Sequence, residues 1–97
     1  MNYGRALKAL RDVRQLKQKE LAEKAELDAS YVSQIENGKR TPSTPAIDAI
    51  AKALGVPMHL FLLFASDAED LRGLSEEQAR QLEAHLLEVI LKSEKGE

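Results

Sequence analysis

The sequence predicts an all-α fold made of five short helices and a longer, amphipathic sixth helix. Apolar residues recur at intervals of three and four along most of the chain, whereas the apolar–polar alternation of a strand is never sustained. Most glycines and prolines fall between these periodic segments, where they end helices rather than interrupt them. A chain of 97 residues holds one small domain and one added element.

The first three helices are predicted over residues 3–13, 18–25 and 29–37. Asp28 is expected to cap the start of the third helix, and Gly38 is expected to end it in a left-handed conformation. Each helix carries its apolar side chains on one face, which is expected to be buried. The inward residues are Ala6, Leu7, Leu10, Val13, Leu21, Ala22, Ala25, Val32 and Ile35.

The fourth and fifth helices follow a proline-containing turn at residues 41–45. Ser43 or Thr44 is expected to cap the fourth helix, because a serine or threonine side chain accepts a hydrogen bond from a backbone amide there. The proline in the first turn of this helix costs little. The fifth helix, at residues 57–64, is nearly all apolar, which predicts burial on most of its sides.

The end of the chain is predicted to carry a dimerisation element. Residues 66–74 are polar and are interpreted as a linker, and Ser75 with Gln78 forms a capping-box pattern that opens a helix over residues 75–92. Apolar residues of this helix are spaced as in a coiled-coil seam. The predicted interface consists of Leu82, Leu86 and Val89, with Phe61 or Phe64 contributing. The alternative is that this helix packs back on its own domain.

The second and third helices are expected to cross at a steep angle, because residues 25–28 are too few for a relaxed loop. The outward face of the third helix is polar and mostly uncharged, and consists of Ser30, Tyr31, Ser33, Gln34 and Asn37. A major groove about 12 Å wide accepts one helix, and such side chains reach base edges. A merely solvated surface is the plainer alternative for the same face.

The charge is divided unequally along the chain. Residues 1–40 hold nine basic and six acidic residues, whereas residues 41–97 hold five and ten, within a net charge of −2. Lys39 and Arg40 directly follow the third helix, in a position to contact phosphates. The first half therefore permits DNA contact, and the acidic second half suggests another task.

Three segments form a pattern that is more specific together than any of them alone. They are Gln18-Lys19-Glu20-Leu21-Ala22-Glu23-Lys24-Ala25, the run from Ser30-Tyr31-Val32-Ser33-Gln34-Ile35-Glu36-Asn37-Gly38 to Lys39-Arg40-Thr41-Pro42-Ser43, and Ile50-Ala51-Lys52-Ala53-Leu54-Gly55-Val56. The combination resembles the Cro/C1-type (Xre-like) helix-turn-helix family over residues 5–64. The resemblance implies a five-helix, lambda-repressor-like domain at residues 1–65 that binds double-stranded operator DNA, usually as a homodimer on a palindrome.

The resemblance also implies roles for single positions. Candidate base contacts are Ala29, Ser30 and Gln34, to which the shared helix face adds Ser33 and Tyr31, although Tyr31 fits a sugar or phosphate contact equally well. Candidate DNA-backbone contacts are Gln18, Asn37, Lys39 and Arg40, with Lys19 added although solvation explains it as simply. Arg11 and Glu36 match a buried ion pair that joins the first and third helices, and are assigned to the fold.

Three positions depart from the family pattern. Glu26 stands at the corner where glycine is frequent, and a non-glycine residue in the left-handed region costs about 1 kcal/mol. Lys17 replaces a serine or threonine N-cap and has no acceptor for a hydrogen bond. Ala29 has no polar group and is limited to touching a thymine methyl.

Other functions are disfavoured by what the sequence lacks. The chain has no cysteine, and His59 and His85 stand alone, so neither a metal nor a cofactor is expected. No nucleophile–base pair or glycine-rich phosphate loop points to an enzyme. No apolar run is long enough to span a membrane and no secretory segment begins the chain, so a cytoplasmic location is expected.

Two functions remain open at this point. The leading hypothesis is a sequence-specific transcriptional regulator, specifically a repressor that binds a palindromic operator as a dimer. The alternative is an antitoxin or adaptor with the same fold, which would bind a protein partner through its acidic C-terminal helix. A co-purifying partner, or the absence of DNA binding at low salt, would favour the alternative.

Overall fold

The computed structural model describes residues 1–67, 69–70, 72–78, 80–82, 84 and 88. Within these ranges the chain is helical and contains no strand, which confirms the all-α prediction. The helices are α1 (Tyr3–Val13), α2 (Gln18–Ala25), α3 (Ala29–Glu36), α4 (Thr44–Leu54) and α5 (Met58–Ala65). Further on, the described residues 76–78, 80–82, 84 and 88 are helical as well. The division into domain, linker and dimerisation helix stays a prediction.

The core is built from the apolar faces of all five helices. Its largest fully buried side chains are Leu7, Leu21, Val32, Ile35, Ile50, Leu54 and Phe61. Val13 was predicted to face inward, but as the last residue of α1 it is 37% exposed. Burial of α5 is also narrower than expected, since only Leu60, Phe61 and Ala65 are buried.

The first helix lies directly against the backbone at the end of α3. A Cβ atom on Gly4 would stand 2.5 Å from the carbonyl oxygen of Ile35 and 2.8 Å from that of Glu36. Any larger residue would push the two helices apart, so glycine is required by the close approach rather than by a turn. The sequence reading assigned no role to Gly4, because a glycine early in a helix resembles an ordinary helix start.

The first four helices end in the same way, with one residue in a left-handed conformation. In each case the next amide donates to a carbonyl five residues back, from Leu16 to Arg11, Leu27 to Ala22, Lys39 to Gln34 and Val56 to Ala51. The left-handed residues are Gln15, Glu26, Gly38 and Gly55, with φ of 58°, 58°, 74° and 74°. The expected left-handed Gly38 is thus confirmed, and Glu26 adopts the strained conformation anticipated at the corner.

The beginnings of the helices are capped less uniformly. The hydroxyl of Ser43 accepts a hydrogen bond from the amide of Ala46 at 3.3 Å, so Ser43 rather than Thr44 caps α4. The predicted capping box is present, because the Ser75 amide donates to Gln78 Oε1 at 2.9 Å and the Gln78 amide donates to Ser75 Oγ at 3.0 Å. These reciprocal bonds satisfy two amides at the start of a helix.

Two caps differ from expectation. Asp28 occupies the N-cap position of α3 as predicted, but its side chain makes no capping hydrogen bond. At α2, the Lys17 amide donates to Glu20 Oε1 at 2.8 Å, which supplies half of a capping box despite the unsuitable lysine side chain.

No single helix in the described ranges is long and apolar enough to cross a membrane. Helices α4 and α5 reach the required length and composition only as a pair, which is bent by 102°.

Replacing Glu26 with glycine is expected to stabilise the protein. The left-handed backbone strains a residue that carries a Cβ, so Glu26→Gly should raise the free energy of unfolding by about 1 kcal/mol. Urea denaturation followed by circular dichroism measures the change. The matched control is Glu23→Gly in the exposed part of α2, which should lower stability by about 1 kcal/mol. A loss of stability in both variants would contradict the strain at Glu26.

Candidate nucleic-acid interface

The third helix is held by an ion pair at its last turn. Arg11 Nε donates to Glu36 Oε2 at 2.7 Å and Arg11 Nη2 donates to Glu36 Oε1 at 3.1 Å, so the pair is bidentate. The two side chains are 13% and 4% exposed. This hydrogen bond to Glu36 raises the pKa of Arg11 above its ordinary value, against the opposing effect of burial. The ion pair implied by the family resemblance is therefore present.

The same carboxylate also binds the second helix. Gln18 Nε2 donates to Glu36 Oε1 at 2.9 Å, and Arg11 Nη1 donates to the Leu16 carbonyl at 2.8 Å. Glu36 thus ties α3 to α1 and to the start of α2 at once. Gln18 was predicted to contact the DNA backbone. One N–H of its side-chain amide donates to Glu36 within the protein, and the second N–H can donate to an acceptor on a ligand.

The opposite side of α3 presents the predicted DNA-reading face. Val32 and Ile35 point into the core, while Ala29 and Ser30 are exposed and Ser33 and Gln34 are half-buried. Beyond the helix, Asn37, Lys39 and Arg40 are exposed, as is Lys19 on α2. Residues spaced by three and four share a helix face, so the candidate base contacts form one mostly polar strip along α3. Lys39 and Arg40 follow the C-terminal end of this strip.

Tyr31 joins this strip to the loop that follows α3. Its hydroxyl accepts a hydrogen bond from the Ser43 amide at 3.2 Å, and its half-buried ring packs against the core. The guanidinium of Arg40 lies over that ring, 5.4 Å from its centroid. This cation–π contact restricts Arg40, so Tyr31 holds a phosphate-binding candidate in place. The sequence does not reveal the contact between Tyr31 and Arg40, because the two residues lie nine positions apart.

An open depression of about 380 Å³ lies beside the strip. Ser30, Gln34, Tyr31 and Arg40 line it, together with Glu26, Leu27 and Asp28 from the corner between α2 and α3. Its lining therefore includes two carboxylates, one guanidinium and the base-contact candidates Ser30 and Gln34.

The residues predicted for a dimer interface are not all on the surface. Phe61 is only 1% exposed and belongs to the core, so almost none of its surface is left for a second copy, which removes it from that interface. Phe64 is half-buried beneath Arg5, whose guanidinium lies 5.7 Å from the ring centroid and donates to the Phe64 carbonyl at 3.0 Å. Leu86 and Val89 lie outside the described residues.

Leu82 faces an apolar depression of about 520 Å³ between α5 and the helical residues that follow Ser75. The lining residues are His59, Leu60, Leu63, Leu74, Gln78, Gln81 and Leu82. Leu74 is 38% exposed at its edge. The depression shows that Leu82 lies next to α5 of its own chain.

In the part of the chain that the structure describes, no three residues among histidine, cysteine, aspartate and glutamate are grouped to hold a metal ion. His85, which was considered with His59, lies outside the described residues.

Two short helices joined by a tight corner, with a polar outer face on the second helix and cations directly after it, are typical of a helix-turn-helix DNA-binding protein. A helix-turn-helix family model matches residues 7–61, more than half of the chain. The chain therefore belongs to the Cro/C1-type helix-turn-helix family of DNA-binding regulators and is not an enzyme.

The chain is also similar to a phage protein. It is 45% identical over 56 residues to the immunity repressor protein of Bacillus phage phi105. The matched segment is 58% of this chain and 39% of the relative, so the chain spans about two-fifths of the length of the relative.

The ring of Tyr31 is expected to matter for DNA binding more than its hydroxyl. Tyr31→Phe keeps the ring under Arg40, whereas Tyr31→Leu removes it, so the leucine variant should bind DNA about three- to fivefold more weakly than the phenylalanine variant. Fluorescence anisotropy at fixed salt measures the difference. The same pair of substitutions made with Arg40→Ala is the control, because the difference should then vanish. A difference that persists without Arg40 would show that the ring acts otherwise.

Proposed function

We propose that this protein is a transcriptional repressor that inserts α3 into the major groove of its operator. The observation that carries the proposal is the partly exposed polar strip of α3, which the bidentate Arg11–Glu36 pair anchors to α1 at the last turn of the helix. An anchored strip loses little conformational entropy on binding. Similarity to a phage immunity repressor supports repression in particular. Occupancy of the operator would exclude polymerase from an overlapping promoter.

The proposed contacts divide into two kinds. Ser30, Gln34 and their neighbours Ala29 and Ser33 would read base edges, because they share the outward face of the helix that would lie in the groove. The backbone contacts would come from Gln18, Lys19, Asn37, Lys39 and Arg40, with Tyr31 acting through Arg40 or on a sugar. Such phosphate contacts position the helix without reading sequence, and they make affinity fall with salt.

We further propose that the repressor is a homodimer on a palindromic site. Two copies would hold their recognition helices about 34–36 Å apart, one helical turn of DNA. Support comes from the apolar spacing of Leu82, Leu86 and Val89 in the sequence and from the partly exposed Phe64 and Leu74. A two-fold pair of such surfaces would be self-complementary.

Gln34→Ala and Lys39→Ala are expected to weaken DNA binding in different ways. Loss of Gln34 should cost about 1–3 kcal/mol at the selected operator and leave non-specific binding unchanged, since the amide would read a base. Loss of Lys39 should weaken binding to every sequence and reduce the slope of log affinity against log salt by about 1. Titrations of operator and scrambled duplexes at several salt concentrations measure both.

The two variants serve as controls for each other. A uniform loss across all sequences for Gln34→Ala would contradict base reading by α3. If the unaltered chain binds no DNA at low salt and carries a protein partner instead, the repressor proposal fails and the adaptor alternative is favoured.

Leu82→Glu is expected to convert the dimer to a monomer. A carboxylate in an apolar interface without a partner is costly, so multi-angle light scattering should give about twice the chain mass of 10.8 kDa for the unaltered protein and the single mass for the variant. The control is Gln81→Glu at the exposed neighbouring position, which should stay dimeric. A monomeric unaltered protein would contradict the proposed dimer.

A further inference from the structure

We propose that the carboxylate of Asp28 determines specificity at this interface by accepting a hydrogen bond from the N4 amino group of a cytosine. This inference rests on the proposed function, because it assigns a new contact to the same DNA-binding face. It names a residue that lies just before α3 and outside the strip of candidate base contacts described above.

The first observation is that helix capping does not use this carboxylate. Asp28 has the backbone of an N-cap residue, with φ −68° and ψ 139°, and an aspartate there ordinarily accepts an amide hydrogen bond from its own helix. Here the side chain makes no such bond, and the residue is exposed. The position therefore has the backbone geometry of a cap while its charged group faces solvent.

The second observation is the place of this carboxylate. Asp28 lines the same depression as Ser30, Gln34 and Arg40, so it lies on the same side of the domain as the polar strip. The start of a recognition helix is the part that enters the groove. A side chain at this point is therefore brought close to base edges when α3 docks.

Charge then restricts what the carboxylate accepts. Phosphates repel it, and Arg40, which lines the same depression, is the group suited to them. On the major-groove edge, guanine presents two acceptors and thymine presents one, which a carboxylate repels, whereas adenine places an acceptor beside its amino group. Cytosine presents only a donor, so it alone satisfies the carboxylate fully. Asp28 therefore discriminates as much by rejecting other bases as by binding cytosine.

The test compares the DNA sequences that three full-length proteins select from a random pool: the unaltered chain, Asp28→Asn and Glu23→Gln. Asparagine keeps the shape of the side chain and the preference for an N-cap position, but it carries a donor as well as an acceptor. Glu23→Gln removes the same charge on α2, at a residue that does not line the depression. Thermal unfolding of each variant checks that the fold is retained.

The unaltered chain and Glu23→Gln should both select cytosine at one position of the bound site. Asp28→Asn should lose that preference on the order of tenfold while selecting the other positions unchanged, as expected for one hydrogen bond to a charged group.

Three results would overturn the inference. Asp28→Asn with an unchanged consensus and a uniformly higher affinity would mean that the carboxylate only repels phosphates. A preference for adenine that depends on Asp28 would refute the assignment to cytosine. If Glu23→Gln also lost the cytosine preference, that preference would depend on the total charge of the protein and not on a contact by Asp28. If the unaltered chain selects no sequence at all, the repressor proposal itself fails, which separates that failure from the other three.

Discussion

Glu36 joins three helices, α1, α2 and α3, behind the predicted DNA-binding face. Its carboxylate receives two hydrogen bonds from Arg11 on α1 and one from Gln18 at the start of α2. Removing one partner of such a buried pair leaves a charge unpaired and costs about 3–5 kcal/mol. The orientation of α3 depends on this connection, because a helix of eight residues has little stability of its own.

The close approach at Gly4 acts together with this ion pair. Gly4 lets α1 touch the carbonyl oxygens of Ile35 and Glu36, so the carboxylate of Glu36 comes within reach of Arg11. The backbone contact and the ion pair thus hold the C-terminal end of α3, and the buried side chains of Val32 and Ile35 hold the helix against the core. The outer side of α3 is thus anchored from the other side of the helix, while Ala29 and Ser30 stay exposed on it.

Local signals in the sequence were sufficient for most of the helices. Their limits were predicted within one residue, because apolar period, caps and left-handed ends depend on residues no more than five positions apart. Family resemblance added the Arg11–Glu36 pair, which spacing alone does not reveal. The inward position of Val13 was wrong, and the N-cap residue Asp28 lacks the side-chain hydrogen bond of a cap, since both features depend on what surrounds these residues in space.

The sequence by itself determined the helices, the polar strip of α3 and the membership of a DNA-binding family. Only the tertiary structure decided that Arg40 lies over the ring of Tyr31, that Asp28 and Gln34 line the same depression, and that Phe61 is buried in the core. The physical reason is that a helix is selected by neighbours along the chain, whereas these contacts arise from the angles at which separate helices pack. Those angles are set jointly by many side chains, and no short segment of sequence specifies them.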